Sequence, residues 1–412
     1  MTALEQLDRT ILLCRDYVAT DLTDHEICHS LQSTRVLCVA DLRNLSSLSG
    51  QTCLTTLVFL LSRMGMQVEL LIPDVPMISS QTPISGKSLS AALAGSSEAL
   101  ITGATVRCDP NSNPDLTFAI GDTKIDNGNG FCWRLHGTDW DGALTIRTVE
   151  VNAWATEKPV GPMVSAALGA NEAFKFALRR LPLRDQADQV FFEQSRSCTW
   201  TFGSICLPDE GLDLGFVDII SAGAISQAAL FALTRFPTIR MHGRLFDDDV
   251  TAPSNLNRNM LTLACDVGLP KVQVVTQRCG TNLRLQPIAE RFDERLFSEP
   301  LAPRMLVGVD DIPSRWHAQR QAPGWLAVSG TSHFNVSSSA HRKDQPCSGC
   351  LHPFDDPGGL NPIPTVSFVS FWAGLAMAVR LIREGLAIPY SKDRQHLWLT
   401  PLSVLAGSHS AL

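Results

Sequence analysis

The chain has 412 residues, 44% of them apolar and 18% charged, with 34 basic against 41 acidic side chains and a net charge of −7. This composition excludes a disordered or collagen-like chain, and at ~100–200 residues per domain it predicts about two to three domains. No basic block stands out, so no nucleic-acid partner is expected, and 12 cysteines are too sparse for a small disulfide scaffold.

The N-terminus, MTALEQLDRT, carries early acids and no apolar core, so it does not read as a secretion signal. A cytoplasmic protein with reduced thiols is expected. Leu4, Leu7, Ile11 and Leu12 have helical spacing over Leu4–Val18. Arg35–Ala40 reads as a buried strand, Gly50–Gly65 as an apolar helix and Gln67–Ile72 as the next strand. Strand–helix–strand opens a parallel α/β sheet. Leu116–Ile120 is a later strand, and Ser165–Arg180 is a helix stopped by Pro182.

The polar stretch Arg184–Leu214 predicts a domain boundary, and the plan then restarts. Val217–Ile220 reads as a strand, Ser221–Ser226 as a small-residue turn and Gln227–Thr234 as a helix. Arg240–Phe246, Lys271–Thr276 and Met305–Val309 read as strands, and Leu326–Ser329 as another before a Ser-rich loop. Thr365–Ile382 approaches membrane-spanning length, but its serines, Gly374 and lack of a basic flank predict a buried helix, so no membrane partner is expected. The plan of strand, turn, apolar helix and strand thus occurs twice with little residue identity.

The chemistry gathers in the second half. The turn Ser221-Ala222-Gly223-Ala224-Ile225-Ser226 between strand and helix lets backbone approach a phosphate, although a close helix–strand contact is the simpler reading of the turn alone. Asp247 ends a strand, where an acid accepts from ribose hydroxyls; a solvated acidic turn with Asp248 and Asp249 is the plain alternative. Asn255 can cap, Arg258 can fork onto phosphate oxygens, and Lys271 offers a point charge. Asp310 and Asp311 end another strand and suit Mg²⁺. Each alone reads as a surface charge. Together they fall at strand ends, where open α/β sheets bind ligands, and so favour a nucleotide site.

Asp247-Asp248-Asp249, Ser254-Asn255-Leu256-Asn257-Arg258, Lys271 and Asp310-Asp311 stand in the order and spacing of the ThiF/HesA/MoeB adenylyltransferases, which residues 212–385 resemble. The resemblance implies two Rossmann-like, ThiF-type adenylation domains packed as a pseudo-dimer. It divides the chain into an inactive half (1–185), a linker (186–211) and an active half (212–412) with a crossover loop at 336–360. It also implies ATP and Mg²⁺, with Gly223, Ala224, Asp247, Asp249, Asn255, Arg258, Lys271 and Asp310 around the nucleotide and Asp310 holding the metal through the phosphates. The family's GxGGxG is here SAGAIS, and Asn259 replaces the glutamine that ends its box.

In the first half, Asp41-Leu42-Arg43-Asn44 replaces the Gly-rich turn, and no SNLxR box or matching lysine follows. This resembles bacterial single-chain enzymes of the ubiquitin-activating type. That likeness implies a ubiquitin-like modifier ending in glycine, a conjugating-enzyme-like partner and, through its operons, antiviral defence. Arg9 sits where such a half lends an arginine finger, although a surface arginine is the simpler reading.

Cys347-Ser348-Gly349-Cys350 leaves three readings open. Zinc needs four ligands, no cysteine follows Cys350, and zinc is not expected. A redox pair lacks its usual fold context. A thioester-forming nucleophile, Cys350 before Cys347, suits a crossover loop, with His341, Arg342 or His352 to lower the thiol pKa. His333 reads as a structural histidine. Adenylation alone, without a catalytic cysteine, and a non-catalytic modifier-binding module are the alternatives.

Overall fold

The computed structural model describes residues 1–96, 99–110, 113–125, 130–292, 300–309, 312–343, 345–351, 362–388, 396–399 and 406–407. Three short helices lead in: α1 (Ala3–Gln6), α2 (Asp8–Arg15) and α3 (Asp24–Gln32). Leu7 divides the first two, so the helical spacing over Leu4–Val18 is realised as two helices. Thr2 and Thr23 each close a capping box, with Glu5 and Glu26, which satisfies the free N–H groups of α1 and α3.

The first sheet follows in the order β1 (Arg35–Val39), α4 (Leu42–Leu45), α5 (Leu48–Arg63), β2 (Gln67–Leu71), α6 (Leu89–Gly95), β3 (Thr105–Arg107), β4 (Leu116–Ile120), β5 (Phe131–Gly137) and β6 (Asp141–Ile146). Then come α7 (Val160–Arg179), α8 (Gln186–Phe191) and β7 (Ser197–Thr201). Strands lie in the order β3-β2-β1-β4-β5-β6-β7. The first five are parallel, and β6 and β7 are antiparallel. The stretch 186–211, expected as a linker, therefore carries α8 and the outer strand of the first sheet.

The second sheet repeats the arrangement. Its elements are β8 (Leu212–Ile220), α9 (Ala224–Leu233), β9 (Ile239–Phe246), α10 (Lys271–Arg278), β10 (Leu283–Ile288), β11 (Arg304–Val307), α11 (Ile312–Arg320), β12 (Trp325–Ser332) and β13 (Asn335–Arg342). They end with α12 (Ser348–Leu351), α13 (Ser367–Gly385), β14 (His396–Leu399) and β15 (Ala406–Gly407). The order is β10-β9-β8-β11-β12-β13-β14-β15, parallel from β10 to β12 and antiparallel beyond. Both halves are Rossmann-like, with the first strand central and the chain reversing direction beside it.

Two expectations are corrected. Lys271–Thr276 is helix α10, not a strand. Its valines suggested β structure, but Val272 and Val275 share one buried face at helical spacing, and Pro270 starts the helix. The expected crossover loop at 336–360 begins as strand β13, so Ser337–Ser339 belong to a sheet. Buried Ser338 satisfies its hydroxyl with Ser329 and Arg380.

Helices α5, α7, α9 and α13 join the halves, and one apolar core runs through both. Every residue of α5 is buried, its leucines, Val58 and Phe59 together with Gln51, Thr52, Thr55, Thr56 and Ser62. Phe59 packs edge-on against Phe231, Phe231 against Phe371, and Phe174 against Phe368. At Gly374 a Cβ would lie 2.4 Å from the Ile225 carbonyl oxygen, so glycine permits α13 to approach α9. The long apolar segment of α13 is buried, and among the described residues no helix is long and apolar enough to cross a membrane.

Candidate nucleotide site

The site forms where β8 ends. Ser221 adopts φ +78°, a conformation that glycine accepts freely and serine does not. Its hydroxyl offsets that strain. Ser221 Oγ accepts from Gly223 N–H at 3.0 Å and donates to Asp247 at 3.3 Å. Gly223 then caps α9, whose first residue is Ala224. The sequence-predicted turn is thus a tight loop at a helix N-terminus, aimed at the strand ends.

Asp247 follows β9 and is 8% exposed. It accepts from Ala222 N–H at 2.7 Å and from Asp249 N–H at 2.9 Å. Burial raises its pKa above the ordinary carboxylate value, against the opposing pull of Lys271 and these two N–H groups. Lys271 begins α10 and reaches back to both acids: Nζ bonds Asp249 and lies 3.9 Å from Asp247. The carboxylates of Asp247, Asp248 and Asp249 lie within 4.8 Å of one another.

These strand ends open into a cleft of about 810 Å³. Asp247–Asp249 line it, as do Arg291, Phe292, His317 and Arg320. Phe292 meets Phe246 and His317 edge-on, giving the cleft an aromatic side. Phe292, His317 and Arg320 were not singled out from sequence, because only the fold brings α11 over β11.

Asn255 and Arg258 lie beside the cleft on the loop after β9 and do not line it. Asn255 Oδ1 accepts from Ala252 N–H at 2.9 Å, the capping role expected of it. Arg258 Nη1 donates to Ser254 O at 2.5 Å and to Asn257 Oδ1 at 2.8 Å. Asn259 is buried. Asp310 and Asp311, expected at the metal, lie outside the described residues. Arg315 donates twice to Val309 O, fixing the end of β11 beside them.

At the corresponding strand ends of the first half a smaller cleft of about 590 Å³ opens, lined by Asp41, Arg43, Asp122, Thr123 and Lys124, and polar side chains around it bond to one another. Buried Asn44 donates to Asp41, Asp122 and Thr123 and accepts from Trp154 N–H at 2.9 Å. Arg43 pairs with Asp122 at 2.9 Å. The polar groups at this end thus satisfy one another.

Helices of the first half touch the second-half loop. Asp8 lies close enough to Arg258 to feel its charge, and Asn257 Nδ2 donates to Thr10 Oγ at 3.5 Å. Arg9, between them, ion-pairs with Asp8 and donates to Ile363 O. His333 Nε2 lies 3.2 Å from an Asp16 carboxylate oxygen, both side chains being exposed.

The two cysteines lie on α11's other side. Cys347 Sγ is 3.5 Å from Cys350 Sγ, and Cys350 is exposed. Burial acts to raise the Cys347 pKa, but hydrogen bonds from Cys350 and the backbone N–H groups of the turn outweigh it and lower the value. His341 is spent elsewhere: Nδ1 donates to Pro346 O at 2.7 Å and Nε2 bonds Ser339 Oγ at 2.8 Å. Arg342 pairs with Glu384. Neither serves the thiols in this arrangement, and His352 lies outside the described residues. Ser348 N–H donates to Gln319, and Trp316 lies against Gly349, while Pro313, His317 and Arg320 line the cleft. One helix therefore separates thiols from cleft. Among the described residues no third His, Cys or acid joins the pair as a metal-ligand cluster.

Residues 35–186 match the BilD N-terminal domain family. The chain is 25% identical over 225 residues to the uncharacterised protein y4jF of Sinorhizobium fredii, covering 52% of this chain and 43% of that one. It thus spans less than half the length of that relative. Among solved structures, it is similar to E. coli MccB with ATP, at 14% identity and TM-score 0.41, over 68% of this chain and 94% of that one. It is also similar to E. coli MccB with AMPCPP and MccA, at 14% identity and TM-score 0.38, over 65% and 91%. A third similarity is to PaaA, at 14% and 0.36, over 61% and 74%.

Proposed function

We propose that the second half adenylates the C-terminal carboxylate of a ubiquitin-like modifier or peptide, using ATP. The observation that carries this is the junction of the α9 N-terminus, buried Asp247 and Lys271 at the ends of β8 and β9, beside the SNLNR loop. Asp247 would hold the ribose, while Asn255, Arg258, Lys271 and the α9 N-terminus at Ala224 would receive the phosphates. A substrate carboxylate oxygen would bond to the α-phosphorus as the bond to the β-phosphate oxygen breaks. Pyrophosphate leaves with that electron pair, and an acyl-adenylate forms. The work is positioning and charge neutralisation.

The closely spaced carboxylates suit a hard cation, and Mg²⁺ would be held through the phosphates by Asp310. Mg²⁺ would supply further neutralisation of phosphate charge.

In the full reading, a thiolate of Cys350 or Cys347 then attacks the acyl carbon, AMP leaves, and the thioester passes to a conjugating partner in the cytoplasm. The lowered Cys347 pKa supports this. The α11 barrier between thiols and cleft favours a second reading, adenylation alone. Mixing protein, Mg·ATP and a glycine-ended modifier on a non-reducing gel separates them. A reductant-sensitive shift that disappears with Cys347→Ala and Cys350→Ala supports the thioester. Pyrophosphate release without a shift supports adenylation alone. Neither product with the modifier encoded beside the gene would count against both.

A further inference from the structure

Two fully buried arginines cross between the halves in opposite directions. Arg63 ends α5 in the first half. Its Nη1 donates to Leu256 O at 2.6 Å, and its Nη2 donates to Met260 O at 3.1 Å and Thr262 O at 2.9 Å, all in the second half. Arg235 follows α9 in the second half, and its Nη2 donates to Thr82 O at 3.0 Å in the first.

The positions correspond. Each arginine stands four residues before the next strand, Arg63 before Gln67 and Arg235 before Ile239. Each reaches the segment that follows the second strand of the opposite half: Thr82 lies eleven residues past β2, and Leu256 ten past β9. In the second half that segment carries Asn255 and Arg258. A buried guanidinium gains by placing its N–H groups on carbonyls, and a planar fork fixes several at once; here the Nη groups do so, while Nε of each arginine bonds no described residue.

We infer that Arg63 is a positioning residue for the nucleotide loop, through which the first half shapes the second half's site. This rests on the nucleotide reading above. Three carbonyls of the loop are held, which fixes the backbone that carries Asn255 and Arg258. Arg235 makes the mirror-image contact on a segment that has no box, so it supplies an internal control. Both contacts support packing; only that of Arg63 bears on nucleotide.

The test compares Arg63→Met with Arg235→Met in the full chain, reading ATP affinity and amide hydrogen exchange. Loss of charge-assisted hydrogen bonds of this kind is expected to weaken ATP binding about tenfold or more in Arg63→Met. Exchange should quicken over 254–262 in that variant. Arg235→Met should quicken exchange near Thr82 and keep ATP affinity within about twofold. Equal loss of affinity in both variants, or none in Arg63→Met, would overturn the inference. If the unaltered protein bound no ATP, the nucleotide reading itself would fail, and the exchange patterns would still decide whether the arginines act reciprocally.

Discussion

Ser221 and Asp247 lock the second-half turn: the serine hydroxyl donates to the carboxylate at 3.3 Å while accepting from Gly223 N–H at 3.0 Å. The side chain stabilises a backbone conformation that its own Cβ disfavours, φ +78°. Ser221→Ala keeps the strain and loses both hydrogen bonds, and is expected to destabilise by about 1–2 kcal/mol. Ser221→Gly loses the same bonds but relieves roughly 1–2 kcal/mol of strain, so it should lie near the unaltered protein. Urea unfolding of both variants checks this; an alanine variant as stable as serine would refute the account of the turn.

Asp247 predicts a pH dependence. Burial raises its folded-state pKa, so between the ordinary carboxylate value and the raised one the folded chain binds more protons than the unfolded chain. Its contribution to stability therefore falls as pH rises through that window. Asp247→Asn removes this contribution. The melting temperature of the unaltered protein relative to the Asn variant should decline from pH 4 upward, an order-of-magnitude window set by the ordinary pKa of about 3.9. A rising difference would contradict the burial.

Lys271 faces two acids, and in the proposed site its charge would meet the phosphates. Lys271→Ala is expected to lower modifier-dependent pyrophosphate exchange by about 100-fold, the usual scale for removing a group that stabilises developing charge. Asp249→Asn should cost less, because Asp249 is 67% exposed in its pair with Lys271. Equal exchange rates in Lys271→Ala and the unaltered protein would remove the lysine from the mechanism.

The thiols should differ in reactivity. Hydrogen bonds hold the Cys347 pKa below the ordinary thiol value despite burial, whereas burial and then Asp74 push Cys108 up, and burial pushes Cys279 up to about 12. Brief alkylation with peptide mapping should modify Cys347 at lower pH than Cys108, and leave Cys279 unmodified in the folded chain. The reverse order for Cys347 and Cys108 would contradict the hydrogen-bonded thiol.

Much of this was legible in the sequence. Apolar runs such as Arg35–Val39 and Leu116–Ile120 announce buried parallel strands, and the run Leu57–Leu61 of α5 announces a buried helix. Lys271–Thr276 misled because valines suit both periods, and only packing separates them. Ser337–Ser339 misled because their hydroxyls are satisfied by Ser329, His341 and Arg380, contacts that no local pattern reveals. Asn44 and Arg63 were missed for one reason: their partners lie far along the chain. A lone arginine closing a helix with no other charged residue was the available signal for Arg63. The order Asp247, Asn255, Arg258, Lys271 was readable, but that Asn255 and Arg258 stand beside the cleft was not.

The central claim is that one half binds nucleotide and the other does not. Titrating the purified full chain with ATP and Mg²⁺ by calorimetry tests it most directly. The account predicts one nucleotide per chain, with binding weakened by Lys271→Ala and unaffected by Asn44→Ala in the first half. Two nucleotides per chain, or binding unaffected by Lys271→Ala, would contradict it.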